Sequence, residues 1–278
     1  MAKGIGLIGN FSGKVGNTVG YQLSASNNGQ TQGVRVYQPN VKNPKTAAQA
    51  EQRAKLAPIN ATYRALKSII DRGNEGLPYG NKSRLAWLKQ AFKAGNMPWF
   101  EKGTIPNYPV ACQLTKGSLN GFKYTNRNGI LNIPCSGVET ETDISTIGKL
   151  STAILAGVPN TMAGDQVTVV IMLHDSGQLQ VTVRSFVIDT TSADAQDLFI
   201  PESNSLEIDY DSEAVFYAVI LSREGNNGEH LRSTSSLLGY ATLYAAAPYD
   251  ATSKTAAIKS YMTQAGAEGD WAEESLQD

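Results

Sequence analysis

The chain is 278 residues long, with 41% hydrophobic and 18% charged residues, a balance that supports a sizeable core without disulfides. Two histidines and two cysteines leave almost nothing from which to build a zinc site, a His-dependent triad or a disulfide framework, and no apolar run approaches the length of a membrane span. The net charge of −1 conceals a strong polarity: residues 1–130 hold 18 Lys and Arg against 4 Asp and Glu, a balance of +14, whereas residues 131–278 hold 6 against 21, a balance of −15. Two arrangements accommodate it. The opposite charges meet inside one monomer, or the positive part of one copy attracts the negative part of another, which favours heterologous contacts and hence rings or stacks.

Residues 1–20 carry glycine at 4, 6, 9, 13, 16 and 20 and lack the cationic segment followed by an apolar core that marks a secretory leader. Gly4-Ile5-Gly6-Leu7-Ile8-Gly9 spells a dinucleotide fingerprint, but it begins at residue 4 with no strand to present the turn. Gly9-Asn10-Phe11-Ser12-Gly13-Lys14-Val15 approaches a phosphate loop, but three residues rather than four separate its glycines, and Val15 stands where a metal-binding hydroxyl is needed. The segment therefore reads as a backbone-rich structural arm. Residues 21–37 continue it irregularly, with one short strand over Gly33-Val34-Arg35-Val36-Tyr37.

Beyond Pro39 the pattern turns helical. Asn43-Pro44 and Thr46 start a helix with Ala47, Ala50 and Ala54 on one face, and Pro58 is expected to end or kink it. Ile59, Tyr63, Leu66 and Ile70 form the apolar stripe of a second helix, closed by Gly73 and the turn over 76–80. A third, over 81–94, sets Leu85, Leu88 and Phe92 on one side and Lys82, Lys89 and Lys93 on the next, a basic face that is solvated or meets an acidic partner. These cations are spread out rather than clustered, which argues against nucleic acid as the partner.

From Tyr108 the signals change to strands, over 110–116, 130–134, 150–155, 166–173, 179–188, 214–222 and 233–244. Seven short runs of this kind suggest an antiparallel β-sandwich, with immunoglobulin-like topology as one form of it. His174-Asp175-Ser176-Gly177 and Gly225-Asn226-Asn227-Gly228 are the hairpin turns. Cys112 and Cys135 lie near the first two strands, able to pair or to stay as buried thiols, the latter being favoured without a secretion leader. After Pro248 a helix over 253–265 carries Ala257, Ile258, Tyr261 and Met262 on one face, and residues 268–278 hold five acids, no cation, and Trp271 as the large anchor. The fold class expected is α+β: an extended Gly-rich arm (1–42), a basic helical region (43–107), a β-sandwich (108–248), and a C-terminal helix with an acidic tail (249–278).

Catalytic chemistry finds little purchase. His174, Asp175 and Ser176 are consecutive turn residues and do not take the through-space geometry of a triad. Glu207, Asp209, Asp211 and Glu213 alternate and offer oxygens to calcium, as do Glu139, Glu141 and Asp143, but neither set has an EF-hand's loop glycine and terminal glutamate, so solvated strand edges are expected. No catalytic, cofactor or metal site is expected, and no membrane partner.

Residues 9–20, Gly-Asn-Phe-Ser-Gly-Lys-Val-Gly-Asn-Thr-Val-Gly, resemble the opening of a family of uncharacterised Bacteroidota proteins, found also in their phages, that begin with Gly-Phe-Ser-Gly-Lys-Val-Gly. Lys42-Asn43-Pro44-Lys45-Thr46 with Gln49, Gln52 and Arg53 is similar to that family's Asn-Pro-x-Thr…Gln-x-x-Gln-Arg block, and Gln113-Leu114-Thr115-Lys116-Gly117-Ser118-Leu119 is similar to its later segment. Asn10 stands where the family has a small residue, and the loop near 21–32 is longer. The resemblance covers about residues 4–120 and brings no catalytic residues to transfer. Combined with the composition, it implies a virion structural component of a tailed phage of Bacteroidota, in a neck, connector or tail ring, assembled in the host cytoplasm. Its partners would be further copies of itself and other virion proteins. Gly9, Phe11, Gly13, Lys14, Val15 and Gly16 would form an N-terminal contact and Trp271 with its flanking acids a second. The alternative is a bacterial β-sandwich module binding carbohydrate or a surface partner.

Overall fold

The structure, a computed structural model, describes residues 13–22, 32–37, 46–175, 177–210, 215–225 and 230–262. The chain divides into two compact units, Met1–Lys45 and Thr46–Asp278.

In the first unit, β1 (Gly13–Val15), β2 (Thr18–Gln22) and β3 (Gln32–Val36) form an antiparallel sheet in that order. The sequence predicted only the last of these strands. The first two arise because Gly16-Asn17 is a two-residue turn closing the Val15–Thr18 pair, and Gly16 supplies its left-handed backbone at φ 58°.

The second unit opens with α1 (Ala47–Ala65), capped by the Thr46 hydroxyl, which accepts from the Gln49 N–H at 3.3 Å. Pro58 does not end the helix. It costs one backbone hydrogen bond, and the burial of Ala54, Pro58, Ile59 and Thr62 along that face outweighs the loss. The Thr62 hydroxyl donates to the Pro58 carbonyl and accepts from the Val110 N–H, tying the helix to the chain that follows. After α2 (Lys67–Ile70) comes α3 (Asn81–Ala91), whose buried face is Ser83, Trp87 and Ala91. Leu85 is 49% exposed, contrary to the stripe predicted for it, because Ser83 turns inward to donate to the Ile70 carbonyl at 2.8 Å and fixes the helix's rotation.

The strands that follow are β4 (Gln113–Thr115), β5 (Thr125–Arg127) and β6 (Ile130–Pro134). Residues 150–155, expected to be a strand, lie inside α4 (Ile147–Gly157). Thr146 caps this helix, Leu150, Ser151 and Ile154 are buried at helical spacing, and Gly148 approaches the Ser192 carbonyl so closely that a Cβ there would sit 2.5 Å from it. Next come β7 (Gln166–Asp175), β8 (Gln178–Val187), β9 (Ile200–Glu202), β10 (Ser205–Asp209), β11 (Val215–Glu224), β12 (His230–Arg232) and β13 (Ser235–Ser236). Of the strand predicted over 233–244, β12 lies just before it, β13 is its only strand, and α5 (Ala241–Tyr244) ends it. Buried serines replace the ladder here: the Ser233 hydroxyl accepts from the Leu221 N–H and that of Ser235 donates to the Val219 carbonyl. The last described element is α6 (Ala251–Met262), with Ala257 and Ile258 buried as expected.

The named strands of this unit form two four-stranded antiparallel sheets, β5-β6-β10-β9 and β12-β11-β7-β8, and the pair β13-β4. Together with the helices this is a mixed α+β fold. In β11, Val215 to Leu221 are all buried, since both faces of the second sheet are covered. Val170, Met172, Phe216, Ala218 and Ile220 share one core with Ala54, Ile59 and Trp87 of the helices. Val167, Val169, Ile171, Tyr217 and Val219 share the other with Leu131, Ile133, Leu206 and Ile208 of the first sheet and Leu150 and Ile154 of α4. The Tyr217 hydroxyl crosses between the sheets to donate to the Gly129 carbonyl at 2.7 Å. Cys112 and Cys135 are unpaired and buried.

Candidate assembly surfaces

The small N-terminal sheet gathers four of the residues singled out from sequence. Gly13, Lys14 and Val15 are β1 itself and Gly16 its turn; Gly9, Phe11 and Trp271 lie outside the described residues. Gly13 faces Gly20 across the ladder, and Gly20 faces Val34. The Lys14 ammonium stands 3.6 Å from the centroid of the Tyr37 ring, whose backbone N–H donates to the Asn17 carbonyl at 2.8 Å. A strand, not a helix, thus follows the phosphate-loop-like string. Among the described residues β1 and β3 are the edges, so each presents a row of backbone donors and acceptors on its outer side. Tyr21 is 44% and Val36 66% exposed. What this arrangement offers chemically is backbone donors and acceptors for a further strand and exposed Tyr21 and Val36 for an apolar surface.

In the second unit the described ion pairs are few. The ion pairs are Lys55–Glu51 at 2.9 Å, Lys67–Asp71, Arg223–Asp165 at 2.6 Å and Lys254–Glu51 at 3.5 Å. Among the described residues, none joins a cation of residues 46–130 to an acid beyond residue 130. Lys82 and Lys89 on α3, Lys93 just past its end and Arg72 before it are exposed. The same region exposes Leu77, Tyr79 and Leu85, with the Arg72 guanidinium 5.6 Å above the Tyr79 ring and the His230 ring 6.1 Å away. Sequence reasoning missed this apolar component because helical periodicity placed Leu85 inward. The exposed acids Glu139, Glu141, Asp194 and Glu202 sit on segments joined by the Ile147 N–H to Asp194 carbonyl bond and the Asn204 N–H to Val138 carbonyl bond.

The carboxylates suggested as calcium ligands have other work. Asp143 accepts from the N–H groups of Thr140 and Glu139, which hold its carboxyl below the usual range and close a short 3-10 turn. Glu207 accepts from the Asn132 amide at 2.7 Å, and its strand, β10, lies inside its sheet between β6 and β9 rather than at an edge. Asp211 and Glu213 lie outside the described residues, and among those described no group of three His, Cys, Asp or Glu is placed to hold a metal. His174 stacks on Tyr108 with ring centroids 4.2 Å apart, turned inward rather than to solvent. Ser176 lies outside the described residues.

Glu75 is a fastener rather than a surface charge. Burial works to raise its pKa, but the backbone N–H and hydroxyl of Ser118 and the N–H of Arg232 donate to it and hold it below the ordinary value. It joins the α2–α3 connection to the segment before β5 and to β12. Among the described residues no helix is long and apolar enough to cross a membrane. Comparison with family models, curated proteins and solved structures returns no match.

Proposed function

We propose that the protein is a structural subunit of the virion of a tailed phage of Bacteroidota, built into a neck, connector or tail ring, with contact-making rather than catalysis as its task. The observation that carries this reading is the segregation of charge. An excess of +14 in one part of the chain and −15 in the other is not cancelled by the described ion pairs. Attraction between unlike regions of successive copies is heterologous and closes into a ring when the rotation allows. In this reading the two four-stranded sheets that share a core act as a β-sandwich wall. The strand edge and turn at Gly13, Lys14, Val15 and Gly16 complete one joint, to which Gly9 and Phe11, close in sequence, would also contribute, and Trp271 a second.

The test is the mass of the purified full chain by mass photometry and negative-stain electron microscopy. A symmetric oligomer is expected, with interfaces burying more than about 1,000 Å². It should loosen as salt rises from 0.15 to 1 M and the screening length falls from about 8 to about 3 Å. A chain that stays monomeric at high concentration, alone and with the other virion proteins, overturns the reading.

A further inference from the structure

α6 lies beside α1 and runs parallel to it. Lys254 stands 3.5 Å from Glu51 near the start of both helices, and farther along Tyr261 meets Arg53, Leu56, Ala57 and Asn60. Lys102, whose backbone N–H is held by the Ser260 hydroxyl at 2.9 Å, closes the end. Together these residues line an open groove of about 380 Å³. Leu56, 41% exposed, forms an apolar strip with Ala57 and Tyr261, while Arg53 and Lys102 make no ion pair among the described residues.

We propose that this groove receives the acidic C-terminal segment of a neighbouring copy, with Trp271 on the apolar strip and Glu268, Asp270 and Glu273 facing Arg53 and Lys102. Residues 263–278 contain Glu268, Asp270, Glu273, Glu274 and Asp278 and no cation, so the segment and the groove are complementary in charge, and Trp271 is its one aromatic side chain. The last turn of α6, at Tyr261, already flanks the groove, and the need of the assembly reading for joints between copies assigns the segment to a neighbour rather than to the same chain. The nine residues from Met262 to Trp271 reach about 30 Å when extended, enough to cross to an adjacent copy. This inference rests on the assembly reading and names the receiving surface for its second contact.

The experiment mixes two full-length variants, Asn60→Cys and Ala272→Cys, under mild oxidation, and measures the oligomer mass of the wild type alongside. Native Cys112 and Cys135 are buried and do not compete. A disulfide-linked pair holding one chain of each kind is expected. Its yield should fall at least tenfold when the Asn60→Cys chain also carries Arg53→Glu and Lys102→Glu, and likewise when the Ala272→Cys chain carries Trp271→Ala. A double variant, Asn60→Cys with Ala272→Cys, that links only within single chains overturns the inference, as does the absence of any link in a sample whose wild type is oligomeric. Both of those results leave the assembly reading standing, whereas a monomeric wild type removes both.

Discussion

The N-terminal sheet and the β12-β11-β7-β8 sheet are both antiparallel, yet they are held by different forces. In the larger sheet β11 buries every residue from Val215 to Leu221, with helices on one face and a second sheet on the other. In the smaller one, among the residues whose burial is described, Gly20 is buried and Val36 and Tyr21 are exposed, and ladder hydrogen bonds, a glycine turn and the Lys14–Tyr37 contact hold the strands. Burial of apolar area supplies most of the free energy that fixes a sheet, so the first is self-sufficient and the second gains most from a partner surface.

The sharpest break in this comparison comes from the large sheet. Phe216→Ala should cost about 3–5 kcal/mol of global stability through the cavity it leaves between sheet and helices, read from urea denaturation. Arg223→Ala should cost a comparable amount, about 3–5 kcal/mol, because Asp165, 1% exposed and bonded by the Arg223 Nε at 2.6 Å and Nη2 at 2.8 Å, would be left buried without its counter-ion. A change under 1 kcal/mol in either would mean that the sheet's burial does not carry the fold.

Glu75→Gln should cost about 1–2 kcal/mol at neutral pH, through weaker acceptance from Ser118 and Arg232. Because the native carboxyl is held below its ordinary value of 4.5, this contribution is complete above that pH and is lost as pH falls through the lower native value. The gap between wild type and variant in urea midpoint should therefore close on going from pH 7 to pH 3, and a gap that persists would assign the effect to packing. In the small sheet, Gly16→Val, at φ 58°, should cost about 1–2 kcal/mol locally, leave the global urea midpoint unchanged and lower the oligomer fraction. Smallest of all, Val36→Ala should move global stability by less than about 0.5 kcal/mol. A larger loss would show that the strand has a core of its own.

What could be read in advance was what local chemistry decides. The strand over 130–134, the hairpin of β7 and β8 around His174 to Gly177, and the Thr46 cap each follow from alternation, turn residues or a capping hydroxyl within a few positions. Packing decided the rest. Leu150, Thr152 and Ile154 alternate like a strand, but the Thr146 cap and the burial of Leu150, Ser151 and Ile154 at helical spacing make a helix the better fit, with Gly148 and Gly157 allowing its close approach to Ser192 and Cys135. Leu85 has the right spacing for a core position and loses it to the hydrogen bond of Ser83. Of the proposed contact residues, the turn at Gly16 was visible as a glycine cluster, but the groove between α1 and α6 was not. It joins Arg53 to Tyr261, positions that only the parallel docking of two helices brings together.

The burial of the two thiols also sets their reactivity. Burial pushes Cys112 up to about 12 and Cys135 up to about 11, so at neutral pH almost none of either is thiolate, the form that attacks disulfides and reacts with oxidants. An oxidising solution should therefore leave both thiols unlinked as long as the fold that buries them stays closed.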